Sequence, residues 1–193
     1  PHERVEKLSR NQRIRMALEE LGPTFVKMGQ VLSSRPDLVP MDLIAELSRL
    51  QDEIPAFGFD QVKETIAAEF GRPLHEVFLF MDETPFASAS IGQVHRASVT
   101  GEERLAVKIQ RPGIRKTIEA DLEIILHLAG IMERNIQEMA FYRPVKIVEE
   151  FAKTLEKELD YTIEAANMER MAAQFLYDRT IHIPRVYPAE SSE

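Results

Sequence analysis

Three short stretches carry side chains that could do chemistry together. The first is "PFASASIGQVHRASVTGEERLAVKIQ", where Lys108 sits inside an apolar run and four small residues, Ala87, Ser88, Ala89 and Ser90, precede it. Small side chains let a backbone approach a phosphate, the Ser88 and Ser90 hydroxyls could donate to its oxygens, and a lysine supplies the countercharge. The second is "EKELDYTIEAANMERMA", with Glu158, Asp160 and Glu164 at i, i+2 and i+6. On one continuous helix, Asp160 and Glu164 share a face and Glu158 points toward a neighbouring site. The third is "KMGQ", where Lys27 and Gln30 are three apart around Gly29. A glycine inside a helix costs about 1 kcal/mol against alanine, and it allows a close approach by another backbone. Each stretch also has a bland reading: a solvent-facing strand lysine, a solvated acidic face, an ordinary surface lysine on a marginal helix.

The elements that must position these groups follow from apolar spacing. Ile14, Leu18 and Leu21 keep a helical period and Gly22 stops it; Val5 and Leu8 extend the pattern toward the start. Pro23 suits the first turn of a second helix with Phe25, Met28 and Leu32 as its face, ended at Pro36. "MDLIAELSRLQDEIP" predicts a third, capped by Asp42, with Leu43, Leu47 and Leu50 as its stripe. "DQVKETIAAEFG" predicts a fourth, capped by Asp60 and stopped by Gly71. Then the pattern changes. "EVFLFMD", "IGQVHRASV" and "RLAVKIQ" read as three antiparallel strands, the last two joined at "TGEE". In the third strand Leu105, Val107 and Ile109 form one face, and Lys108 shares the other with Ala106 and Gln110. A helix over Arg115 to Glu133, one long helix from Val145 to Leu176, and a short strand in "IHIPRVYP" complete the order. The fold class is α+β. Residues 1–71 form a helical extension, and residues 72–193 a domain whose sheet is covered by helices on both sides in sequence.

Composition narrows the function. A net charge of -8 argues against a dedicated nucleic-acid binder, and the absence of cysteine excludes disulfides, thiolate metal sites and thiol nucleophiles. No stretch of 18 apolar residues occurs. The histidines have no metal-ligand spacing, and His95 reads as structural. The chain opens on "PHERVEK" and closes on "YPAESSE", both of which read as cuts from something longer.

A kinase-type nucleotide lobe has the same logic: a small-residue loop over the phosphates, a third-strand lysine on them, and an acid on a following helix holding that lysine. Here Ala and Ser stand where that loop has glycines. The blocks "FVKMGQVLSSRPDLVP", "PFASASIGQVHRA", "LAVKIQRPGI" and "ELDYTIEAANM", in this order, resemble the ABC1/UbiB/ADCK (AarF-like) family of atypical protein-kinase-like proteins over residues 20 to 187. The resemblance implies a kinase-like N-lobe preceded by a helical extension carrying the K-x-G-Q motif, here Lys27, Gly29 and Gln30. It implies that Lys108 is the nucleotide lysine and Glu164 its partner. Glu158 and Asp160 match the E-x-D pair that meets the K-x-G-Q segment. The family loop is commonly A-A-A-S, so Ser88 replaces an alanine.

The resemblance further implies binding of ATP or ADP with Mg2+, and a role in the biosynthesis of ubiquinone or related isoprenoid lipids. The catalytic-loop Asp, the metal-binding Asn and the Asp-Phe-Gly ligand of a complete kinase do not occur in these residues, so the metal ligands belong to a C-lobe absent here, and the fragment is expected to be inactive alone. Adenine nucleotide is the implied partner; an isoprenoid lipid or quinone-biosynthesis proteins are allowed, nucleic acid is not. The implied location is cytoplasmic, with contact at the inner membrane left to parts outside these residues. The rival reading is a non-catalytic lipid-binding or protein-interaction scaffold built on a kinase-like lobe.

Overall fold

The computed structural model describes residues 8–50 and 55–192. Helix α1 (Arg10–Leu21) starts at a reciprocal cap in which the Ser9 hydroxyl and the Gln12 side chain each accept the other's backbone N–H. Gly22, at φ 107°, turns the chain directly into α2 (Pro23–Ser33), with Pro23 in its first turn. Val5 and residues 51–54, parts of the predicted first and third helices, lie outside the described residues. Helix α3 is shorter than predicted, Met41–Leu47. Its cap position is Pro40 rather than Asp42, whose carboxylate instead accepts from Asn11 and from the Leu43 N–H. Helix α4 (Phe59–Phe70) begins after Gly58, with Asp60 in its first turn rather than at its cap, and stops at Gly71 in the left-handed conformation.

Helix α2 is packed on two sides, not one. Val26, Thr24 and Gly29 are its buried residues. Val26 joins Val39, Leu47 and Leu50 in one cluster, while Phe25 and Met28 pack on the opposite side around Ile125, Ala129 and Val148. A helix buried on two sides is held in rotation as well as position, which fixes where Lys27 points.

The predicted first strand is interrupted. "EVFL" begins with a helical turn, α5 (Leu74–Val77), and only β1 (Phe80–Met81) and β2 (Ala87–Ser88) pair with β3 (Gly92–Ser98). Both lie antiparallel on the same edge of β3. Between the pairs Phe80↔Ser98 and Ala87↔Val94 the first strand advances by more residues than β3 does, so a segment around Pro85 bulges out. Strand β4 (Leu105–Gln110) pairs antiparallel with the other edge of β3, from Gly92↔Gln110 to Ala97↔Leu105. The sheet is therefore a three-rung meander with a broken outer rung.

Cross-strand register assigns the two faces. Gln93, His95 and Ala97 share a face with Ile109, Val107 and Leu105. That face packs on Val62 and Ile66 of α4, with Val77 and Phe78. His95 is structural, as its sequence context suggested: it is fully buried, Nδ1 donates to the Asp82 carbonyl at 2.7 Å, and Nε2 accepts from Gln93 at 2.9 Å. Gly92, Val94, Ala106, Lys108 and Gln110 share the other face.

Helix α6 (Ile114–Asn135) leads through α7 (Gln137–Tyr142) to α8 (Pro144–Leu159). The predicted single helix over 145–176 is two. It breaks at Asp160, φ -100° and ψ 98°, and resumes as α9 (Tyr161–Gln174). Asp160 breaks it by capping: its carboxylate accepts from the Thr162 N–H at 2.9 Å and from the Thr162 hydroxyl at 2.6 Å. Leu155 and Leu159 are buried with Phe151, Ile114 and Ile118, but Ile163 beyond the break is not. "IHIPRVYP" forms no strand; a short 3-10 turn, Pro188–Glu190, begins at its last residue.

Candidate functional site

Lys108 leaves β4 on the face away from α4, and its Nζ meets Glu164 Oε2 at 2.7 Å. Glu164 stands in the first turn of α9, where backbone N–H dipoles favour a carboxylate. The pair is part-exposed, 36% and 54% for the two side chains, so it is open to a solute. Gln110, next on the same face, donates to the Leu159 carbonyl at 2.7 Å. This bond ties β4 to the last turn of α8, just before the break. The break thus serves the site: it brings the start of α9, rather than the flank of one long rod, against the strand that carries Lys108.

The small-residue loop expected at Ala87 to Ser90 is drawn partly into the sheet. Ala87 and Ser88 are strand residues paired with Val94 and Gln93, and the Ala89 N–H donates to the Gly92 carbonyl at 2.8 Å. Ser90 and Ile91 are left as a two-residue turn. Both are buried: Ile91 joins the cluster of Ile118 and Leu155, and its carbonyl accepts from the Arg111 N–H at 2.8 Å. Ala87 is exposed and Ser88 half-buried. The segment is a short hairpin tip pinned at Ile91.

A second ion pair lies on the other side of the break. Lys27 Nζ meets Glu158 Oε2 at 2.7 Å, with Lys27 the less exposed partner at 19%. Glu158 is in the last turn of α8, where exposed carbonyls make a carboxylate unfavourable, so the lysine offsets a local repulsion. Helix α2 is held for this contact by Thr24, whose hydroxyl donates to Asp121 of α6 at 2.5 Å, and by Gly29. A Cβ at Gly29 would run into Leu50 and stand 3.0 Å from Leu18. The close approach allowed by that glycine is therefore to leucine side chains, not to another backbone. Gln30 donates to the Leu50 carbonyl at 3.4 Å and does not join Lys27.

The acidic trio is thus divided: Glu158 to Lys27, Glu164 to Lys108, and Asp160 to Thr162 between them. The Thr162 hydroxyl and N–H hold the Asp160 carboxyl below the usual aspartate value, against the opposing effect of desolvation.

Two further residues of this centre lacked a sequence reading. Tyr161 places its ring under the Lys108 ammonium, 4.4 Å from Nζ to ring centroid. Burial, and secondarily the nearby Glu164 and Glu158, push its hydroxyl up. Gly92 is the other: a Cβ there would stand 2.6 Å from the Ile109 carbonyl oxygen and 2.6 Å from the Tyr161 hydroxyl. A glycine inside an otherwise alternating strand was the available signal; nothing in the sequence marked Tyr161. Among the described residues no three acidic or histidine side chains cluster closely enough to hold a metal ion, and no helix is long and apolar enough to cross a membrane.

A lysine of known orientation, an acid that holds it and a small-residue hairpin can together receive a phosphorylated solute. The ABC1 atypical kinase-like domain matches residues 49–193. A "Probable protein kinase UbiB" of Marinobacter nauticus is 42% identical over 92% of this chain and 32% of its own length. Another of Cellvibrio japonicus is 40% identical over 94% and 33%. This chain thus spans about one third of the curated relatives it matches. Among solved structures, one described as the complex of Rv3197 with erythromycin from Mycobacterium tuberculosis superposes with a TM-score of 0.57 at 29% identity, over 82% of this chain and 40% of that one.

Proposed function

The chain belongs to the ABC1 atypical kinase-like family, and from that premise we propose that Lys108 and the hairpin tip at Ala87–Ser90 bind the phosphates of an adenine nucleotide. Glu164 holds the lysine in place, and its bond at 2.7 Å is the observation that carries the reading. Lys108 fits a phosphate partner because its ammonium is tethered on one side by a carboxylate and part-exposed on the other. ATP or ADP would arrive with Mg2+, and that ion would neutralise charge between the phosphates. The described residues offer it no ligand cluster, so its protein ligands are expected elsewhere in the longer proteins of this family.

The Lys27–Glu158 pair does separate work. It holds the K-x-G-Q helix against the end of α8, and in this reading it restricts access by large substrates. In the whole protein the proposed activity is that of a UbiB-like atypical kinase or ATPase, in service of ubiquinone or related isoprenoid-lipid biosynthesis. These residues alone are expected to bind nucleotide weakly and to turn over none. The test is titration with Mg-ADP and Mg-ATP, followed by calorimetry or NMR, of the chain and of Lys108→Met. Saturable binding lost in the variant agrees; equal binding by both overturns the reading.

A second reading, a non-catalytic scaffold for a lipid or protein, draws on α9. That helix has no buried residue among those described and exposes Ile163 and Met171. Saturable binding of a prenyl lipid without nucleotide would favour it.

A further inference from the structure

Tyr161 is the first residue of α9, one position after the capping Asp160 and three before Glu164. Residues three apart share a helix face, so the ring and the Glu164 carboxylate approach the same cation. Lys108 accordingly has two neighbours of different kinds: an oxygen at 2.7 Å and a ring centroid at 4.4 Å. The ring is confined by its surroundings. Its body packs against the cluster of Ile91, Ile114, Phe151 and Leu159. Its tip enters a notch that exists because residue 92 has no side chain.

The hydroxyl at that tip is buried and has no hydrogen-bond partner among the described residues. A buried tyrosine hydroxyl ordinarily finds one, and leaving it without carries a desolvation penalty. Among the described residues, then, it is the ring and not the hydroxyl that makes the contact with the site. What the ring supplies is a flat face under an ammonium, and a π-face attracts a cation through its quadrupole. The same ring could instead be mere filling for the apolar cluster, in which case the electronic character of its face would not matter.

We propose that Tyr161 is a positioning residue: its ring face and the Glu164 carboxylate together form a two-sided seat that aims the Lys108 ammonium, with Gly92 as the notch that admits the ring. This deepens the nucleotide reading and rests on it only for the affinity measurement below. With a carboxylate alone, the flexible lysine stem can swing about one contact. The ring removes that freedom, so less conformational entropy is lost when a phosphate arrives.

The experiment alters the ring's charge distribution without altering its shape. Tyr161→Phe serves as reference, and 4-fluoro-, 3,5-difluoro- and 3,4,5-trifluorophenylalanine are incorporated at the same position. The first readout needs no nucleotide: the rate at which an amine-acylating reagent labels Lys108 at fixed pH, read by peptide mass spectrometry. The seat predicts a stepwise rise, about 2- to 5-fold across the series. Tyr161→Leu should label faster than the reference. A flat fluorine series overturns the proposal, whatever Tyr161→Leu does, because that variant also disturbs the cluster. The second readout is Mg-ADP affinity, which should fall in the same order. If the unaltered chain binds no nucleotide, the functional reading fails, while the labelling series still decides the role of Tyr161.

Discussion

Replacing Gly92 with alanine tests the packing that holds the site together. The residue has no left-handed φ, so its requirement is space rather than backbone conformation. The added methyl would stand 2.6 Å from the Ile109 carbonyl oxygen and 2.6 Å from the Tyr161 hydroxyl. Neither neighbour yields easily. The Ile109 carbonyl belongs to β4, whose register runs unbroken from Leu105 to Gln110, and the ring is packed among buried side chains. Overfilling a packed site typically costs about 1–3 kcal/mol. The loss of unfolded-state entropy on changing glycine to alanine returns about 0.4–1 kcal/mol. With backbone as one of the two obstacles the upper part of the first range applies, so the net expectation is a destabilisation of about 2 kcal/mol. Urea unfolding of both proteins measures it. Gly130→Ala supplies the contrast. In the middle of α6 an added methyl meets only the flexible end of Arg134, at 3.2 Å, so helix propensity should win and stability should rise by about 0.5–1 kcal/mol. If Gly92→Ala changes stability by less than about 0.5 kcal/mol, or raises it, the close-approach argument is wrong.

Other expectations can be checked on the same chain. A double-mutant cycle on Lys27→Met and Glu158→Gln should give a coupling of about 0.5–1 kcal/mol that shrinks in 1 M salt, as for a part-exposed pair; a coupling near zero would remove the clamp assigned to Lys27. The Asp160 carboxyl is held below its ordinary value of 3.8 by Thr162. A depressed folded value means its contribution to stability is whole above 3.8 and is lost as pH falls through the lower, folded value. Asp160→Asn, which keeps a capping side chain, should flatten that acid limb in thermal melts between pH 2 and 5, whereas an unchanged acid limb would contradict the capping role. Tyr161→Phe, which deletes a buried hydroxyl with no partner among the described residues, should leave thermal stability equal or higher; a clear loss would show that the hydroxyl has a partner.

The helices and the phase of β4 were legible because each had one strong local cause. Pro23 and Gly22 set the turn between the first two helices, Gly71 stopped the fourth, and alternation placed Lys108 opposite Val107 and Ile109. The pairing of Lys108 with Glu164 followed the family resemblance. What sequence spacing missed were competitions between local and tertiary preference. The stretch around residue 160 has no proline or glycine, and Leu155, Leu159 and Ile163 keep a helical period through it. The capping bond of Asp160 to Thr162 nevertheless ends one helix and starts the next. "EVFLFMD" has strand composition, yet Val77 and Phe78 are used to cover α4, which leaves Phe80–Met81 to pair. The face of α2 was half seen, because a single periodicity cannot show a helix buried on two sides. Tyr161 was invisible because its role depends on a lysine more than fifty residues away.

The central claim is that the Lys108 ammonium, held by Glu164, receives nucleotide phosphate together with the hairpin tip. The most direct measurement is a two-dimensional NMR titration of the isotope-labelled chain with Mg-ADP. The predicted result is saturable movement of the resonances of Ala87 to Gly92, Lys108 and Glu164, abolished in Lys108→Met. Saturable movement confined to other residues, or a titration unchanged by Lys108→Met, would contradict it.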